Sequence, residues 1–295
     1  MQARAVAVLF GIALAALAAA GAVSMWFGEG PPPAAVSEVR LVSLSPSVTE
    51  TLAVLGASDL QVARSAWCNW PPEVQDLPIV GSGLTPDYEA IVAARPSHIL
   101  VEASGSAPVE DLRALAITEA LPWLTLEEVT GSVVRIGELT GRQAKADKLV
   151  GRLQERLAVP EAGPSAPTVL LVLGGDGLGE RPPWFIKKNS LHGMALNALG
   201  VRNAVPEEVA GAPTLSIERL IQLDPDVIVV LIPGQPDAAA RQRAMHAFDH
   251  LEPLRAPREG RVAALGSARL LTTGPGILDY VDELEQTLRP LGVLE

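Results

Sequence analysis

Cysteine is almost missing from this chain. Cys68 is the only one in 295 residues, so an internal disulfide and a cysteine-based zinc cluster are both excluded. Histidine is scarce as well: four scattered residues give little density for a metal site, and none is expected. No run of lysines or arginines occurs, and the net charge is −11 with a pI near 4.9. Such a chain cannot line a phosphate backbone, so nucleic acid is not an expected partner. Hydrolase signatures are absent too, with no Gly-x-Ser-x-Gly elbow and no His-Glu-x-x-His helix, and nothing points to an enzyme. The glycines at 174–179 follow a strand-like run, yet a dinucleotide fingerprint needs a glycine at 180 or 182. Glu180 and Pro182 stand there, so the segment reads as a turn beside a cleft, with no cofactor to bind.

What is present begins with an export segment. Arg4 precedes an uncharged apolar run from Ala5 to Val23, and Ala20-Gly21-Ala22 fits a small-x-small cleavage site. Apolar character continues through Met25, Trp26 and Phe27, so residues 1–27 are either a cleaved signal or a membrane anchor. Residues 28–38, with Pro31-Pro32-Pro33, form a stiff spacer. The folded part is therefore expected outside the cytoplasm, in the periplasm or at the outer face of a membrane, and as a monomer.

A pattern then occurs twice. Residues 88–101 and 217–230 align at one offset: Glu89 matches Glu218, Pro96 matches Pro225, and Ile99–Val101 matches Ile228–Val230. A helix that opens on glutamate, stops before proline and feeds an apolar strand is half of an α/β unit, and two copies predict two lobes. The expected fold is α/β, with two Rossmann-like lobes over residues 39–126 and 161–295, each around a mainly parallel sheet. Residues 127–160 carry apolar positions at three- and four-residue steps and predict one long helix joining the lobes, although Gly131, Gly137, Gly141 and Gly151 interrupt it. In the second lobe Thr168–Leu173 is so uniformly apolar that it predicts a parallel strand buried on both faces.

Aromatic residues fall where such a cleft would lie. Trp67 and Trp70 flank Cys68 and Asn69 in a segment of weak periodicity, and Trp184-Phe185 follows Pro182-Pro183. Broad faces in loops suit a flat or bulky ligand, and the competing reading is that some of them cap a lobe's core. Cys68 reads as an inert thiol. His246 and His250, four apart beside Asp249, suit a surface helix better than a metal site, because two ligands leave a metal under-coordinated. A glutamate in a first helical turn offsets the helix dipole, which accounts for Glu89 or Glu218 singly. Equivalent carboxylates on two lobes also make a pair of anchor points for a partner with two cations.

An ordered set of segments carries a resemblance: Arg40–Glu50, Trp67-Cys-Asn-Trp-Pro-Pro-Glu73, Leu77–Gly81, Tyr88-Glu-Ala-Ile and Arg95–Leu100. Together they resemble the substrate-binding proteins of ABC importers for cobalamin, haem and ferric siderophores, most of all the cobalamin binders. The resemblance implies two lobes joined by a backbone helix, and a chelate held between them. The favoured cargo is a cobalt corrinoid, with a ferric siderophore or haem as the alternative. It also implies docking of Glu89 and Glu218 onto an ABC permease and its ATPase. Trp67 and Trp184 match cargo-touching aromatics, and Trp70, Tyr88 and Phe185 complete the expected binding set. Gly83, Glu102 and Ala212 stand where cobalamin binders carry further tryptophans.

Overall fold

The structure, a computed structural model, describes residues 39–103, 106–174 and 182–294. The export segment and spacer, and most of the 174–179 glycine turn, lie outside them. The first lobe runs β1 (Leu41–Ser43), α1 (Pro46–Leu55), β2 (Gln61–Arg64), α2 (Tyr88–Ala94), β3 (His98–Glu102), α3 (Val109–Arg113) and β4 (Ile117–Leu121). Its sheet has the order β2-β1-β3-β4 and all neighbours are parallel. Two helices follow, α4 (Leu126–Thr140) and α5 (Gln143–Leu157). The second lobe comprises β5 (Thr168–Leu173), β6 (Trp184–Phe185), α6 (Leu191–Ala198), β7 (Arg202–Asn203), α7 (Ile217–Leu223), β8 (Val227–Pro233), α8 (Ala238–Met245), α9 (Arg255–Arg258), β9 (Val262–Ser267) and α10 (Ile277–Leu288). Its sheet order is β6-β5-β8-β9, parallel except for β6, and β7 pairs with the start of β5.

The repeat extends to the backbone. Helices α2 and α7 each have seven residues, and each is opened by a side chain that accepts a backbone N–H: Asp87 from Ala90 and Ser216 from Arg219. Each closes on a left-handed non-glycine residue, Arg95 (φ 48°) or Asp224 (φ 36°), with a proline next. That conformation is costly for residues with a Cβ. In both lobes an arginine donates to the exposed carbonyls: Arg40 to Ala94 O and Arg95 O, and Arg255 to Asp224 O.

The single linking helix expected over 127–160 is two helices packed on one another. Thr125 and Glu128 form a reciprocal capping box that starts α4. Gly141 ends it in the left-handed conformation (φ 67°), while Arg142 N–H donates to Gly137 O at 2.7 Å. A β-carbon at Gly137 would lie 2.5 Å from Ala146 Cβ, so the pair meets over a glycine. The apolar spacing runs through this break, which is why periodicity alone reads one rod. Before the helix pair, β4 ends at Leu121, and Trp123 is buried in the apolar cluster that also takes in α4.

Alternation along the strands divides the interior into three clusters. Leu41 and Leu100 in the first sheet, and Val169, Leu171, Val227, Val229 and Leu231 in the second, face one continuous apolar cluster. It also takes in Val133 and Ile136 of α4, Leu149 and Leu153 of α5, and Val281 and Leu284 of α10. Residues one step along face outward into separate clusters, Val42, Ile99 and Val101 in one lobe and Leu170, Val172, Ile228 and Val230 in the other. Both sheets are thus covered on two faces, as parallel sheets require. The shared cluster joins the lobes through packed apolar contacts.

Candidate cargo cleft and docking face

In a parallel α/β sheet the carboxyl ends of the strands form the binding edge. Trp67 lies there, just beyond β2. Its backbone is pinned, because Trp67 N–H donates to Ser65 Oγ at 3.2 Å and Ala66 N–H donates to Gly81 O at 2.8 Å. The indole itself is 70% exposed. Trp184 occupies the matching edge of the second lobe, where it opposes Leu173 at the end of β5 and bridges to Thr214. It is 48% exposed. Two large aromatic faces are therefore held on fixed backbone and left open to solvent, one per lobe.

The rest of the expected binding set divides. Phe185 is buried in the second lobe's outer cluster, because the period of a strand points it opposite to Trp184; it is a core residue. Trp70 is half-buried, and its ring lies under the Arg269 guanidinium, 4.2 Å from the ring centroid. Tyr88 is exposed at the start of α2, and its hydroxyl donates to Asp111 Oδ2 at 3.4 Å. Desolvation and the Asp111 carboxylate raise the Tyr88 phenol above its usual range. Cys68 is fully buried, with its thiol 3.2 Å from Ser65 Oγ. His246 opens a short 3-10 turn and its Nδ1 meets Asp249 Oδ2 at 2.7 Å.

A cavity of about 260 Å³ opens beside Trp67, lined also by Leu44, Gly83, Leu84, Val101 and Glu102. Gly83 matters to its shape, because a β-carbon there would come within 3.2 Å of Leu44 O. The missing side chain at Gly83 thus leaves room at this wall of the cavity. Burial raises the Glu102 carboxyl above the usual range, against a hydrogen bond donated by Ser45 Oγ at 3.4 Å. Glu102 is the one carboxylate among the residues lining this cavity, and sequence reading noted it only as a missing aromatic.

Sequence reading also missed a polar clamp between the lobes. Glu50 of α1, 1% exposed, accepts hydrogen bonds from Gly276 N–H at 3.2 Å and Thr272 Oγ1 at 3.3 Å. Arg269 Nε lies 3.6 Å from its other oxygen, and Arg269 also pairs with Asp279. Ser47 and Thr273 hydroxyls meet at 3.0 Å beside it. Burial raises the Glu50 carboxyl, opposed chiefly by Arg269. The loop from Ser267 to Gly276, which leaves β9 at the binding edge, is held to the first lobe by this carboxylate. A cavity of about 480 Å³ lies behind the loop, between Arg241, Arg269 and Tyr280.

Glu89 and Glu218 stand in the first turns of α2 and α7, whose N-termini face the same edge. Both are exposed, and neither meets a cation among the described residues. Its own backbone N–H and the Ser216 hydroxyl hold the Glu218 carboxyl below its usual range, so it is ionised at neutral pH.

Known proteins are similar to this chain in sequence and fold. The vitamin B12-binding protein of Pectobacterium atrosepticum is 26% identical over 215 residues, covering 70% of this chain and 75% of that protein. The periplasmic haem-binding protein of Pseudomonas aeruginosa superposes with a TM-score of 0.68 at 26% identity, covering 87% of this chain and 94% of the other. The periplasmic vitamin B12-binding protein of Vibrio cholerae superposes at 0.67 with 22% identity, covering 85% and 97%. Residues 41–268 match the family described as periplasmic binding protein, and the chain belongs to that family.

Proposed function

We propose that this protein is an extracytoplasmic receptor that captures a bulky metal chelate, with a cobalt corrinoid favoured, and delivers it to an ABC permease and its ATPase. The observation that carries this reading is the pair of exposed tryptophans, Trp67 and Trp184, held at the carboxyl edges of the two sheets. Facing lobes with one indole each can grip a wide, largely apolar macrocycle without any covalent step, and the protein acts by binding alone. The naming of the Pectobacterium atrosepticum relative supports the corrinoid.

Haem is the second reading, favoured by the likeness to the Pseudomonas aeruginosa protein. Haem iron takes an axial ligand from histidine, tyrosine, cysteine or methionine. Several candidates here are otherwise engaged: Cys68, His192 and Tyr280 are buried, and His98 opens β3 at the end away from the cleft; Met194 and Met245 are half-buried, and the exposed His250 follows the turn that opens at His246. Tyr88 and His246 are bonded to Asp111 and Asp249. A corrinoid, whose cobalt brings its own ligands, makes no such demand.

Native mass spectrometry of the purified protein with cyanocobalamin, haem and ferrichrome tests the assignment. A cyanocobalamin adduct is expected. A haem or ferrichrome adduct alone would overturn the corrinoid and keep the class, and no adduct with any of the three would overturn both. Glu89→Lys with Glu218→Lys is expected to abolish association with the permease while cargo affinity is unchanged. An equal fall in cargo affinity would make these residues part of the cleft.

A further inference from the structure

The offset of 129 residues that pairs Glu89 with Glu218 also pairs two exposed apolar residues beside each glutamate. Tyr88 corresponds to Ile217 and Val92 to Ile221. All four are exposed, between 36% and 56%. On each helix the apolar residues are four apart, and the glutamate follows the first of them, so the three fall within an arc of roughly 100°. A buried residue at the equivalent place, Ile91 or Leu220, lies outside that arc and anchors each helix to its lobe. Packing within each lobe therefore explains Ile91 and Leu220 and leaves the exposed pairs without a role in the fold.

We propose that Tyr88-Glu89-Val92 and Ile217-Glu218-Ile221 form one docking surface in two like halves. Its occupant is a membrane protein that presents, on each of two equivalent subunits, a cation beside an apolar pocket. This rests on the docking role given above to Glu89 and Glu218. It goes beyond that role in adding the apolar contacts, and it moves Tyr88 from the cargo site to the partner's face. Three observations select this occupant. Like helices on two lobes ask for a partner that repeats itself. Exposed carboxylates that meet no cation among the described residues ask for cations. A second copy of this chain, at net charge −11, would bring glutamate against glutamate, and an anionic lipid surface would repel both. The Tyr88 hydroxyl is engaged by Asp111 of α3, and what the exposed ring then offers a partner is an apolar contact.

Three proteins with the full folded chain separate the terms: Val92→Ser with Ile221→Ser, Glu89→Lys with Glu218→Lys, and the unaltered protein. Each is titrated onto washed membranes of the source organism at low salt and in about 1 M NaCl, where the Debye length is ~3 Å. The serine variant is expected to associate about tenfold or more weakly, and to remain weaker at high salt, because lost apolar burial is not screened. Circular dichroism melting checks that it stays folded. Photo-crosslinkers at positions 92 and 221 are expected to label the same membrane-spanning polypeptide, and the charge-reversed background is expected to lose both products. If charge reversal abolishes association and the serine variant binds as the unaltered protein does, the apolar surface is overturned and the glutamate docking stands. If charge reversal has no effect either, both are overturned. Crosslinking of 92 and 221 to different polypeptides overturns the two-fold partner.

Discussion

His192 shows how one buried side chain sets a pH dependence. Its Nε2–H donates to Leu270 O at 2.9 Å and its ring meets Tyr280 edge-on, with centroids 4.9 Å apart. Burial outweighs the Leu270 bond and lowers its pKa from 6.5 to about 4. Because the folded value is depressed, the neutral imidazole contributes stability above pH 6.5, and that contribution is lost as the pH falls toward 4. At ~1.4 kcal/mol per pH unit, about 2 kcal/mol should disappear between pH 7 and 5. Glu50 acts in the opposite sense: its raised carboxyl is stabilising below the unfolded value and loses that contribution as pH rises. Comparing His192→Gln with the unaltered protein by urea denaturation at both pH values isolates the histidine. The stability difference between them should shrink by about 2 kcal/mol at the lower pH, and a constant difference would contradict the assignment. Neither group was legible as a pH-active site in the sequence. His192 reads as a helical residue, and the partners of Glu50 come from a loop near the other end of the chain.

Elements were more legible than their joints. Glutamate, proline and a β-branched run announced α2–β3 and α7–β8, and the structure repeats even their left-handed caps. The 127–160 segment misled because amphipathic spacing continues from Leu139 to Ala146 while Gly141 turns the chain. Phe185 misled because a two-residue strand is too short to show its alternation, and β2 went unseen because Gln61–Arg64 carries a mixed pattern. Both the turn and the contact at the α4–α5 joint can be tested. Gly137→Ala places a methyl 2.5 Å from Ala146 Cβ and should cost about 1–3 kcal/mol by overpacking. Gly151→Ala has no atom within 4 Å of its new methyl and should instead gain up to about 1 kcal/mol from helix propensity. Equal effects in chemical denaturation would contradict the packing described for α4 and α5.

At the scale of the whole molecule, the two lobes share one apolar cluster and are clamped at Glu50. Interiors packed in this way resist continuous deformation, so cargo binding should close the cleft only slightly. Spin labels on Glu73 and Glu208, one in each lobe, should change their separation by under about 2 Å when cargo is added, as in pre-organised complexes. A larger change in double electron–electron resonance would mean that the lobes hinge. Modest closure also fits a receptor whose docking helices must keep their spacing whether loaded or empty. The central claim remains that Trp67 and Trp184 hold a corrinoid between these lobes. Its most direct measurement is the quenching of tryptophan fluorescence by cyanocobalamin in the unaltered protein and in Trp67→Ala and Trp184→Ala. Saturable quenching at micromolar ligand is expected, with each substitution weakening binding by about 1–3 kcal/mol; no quenching, or full affinity in both variants, would contradict it.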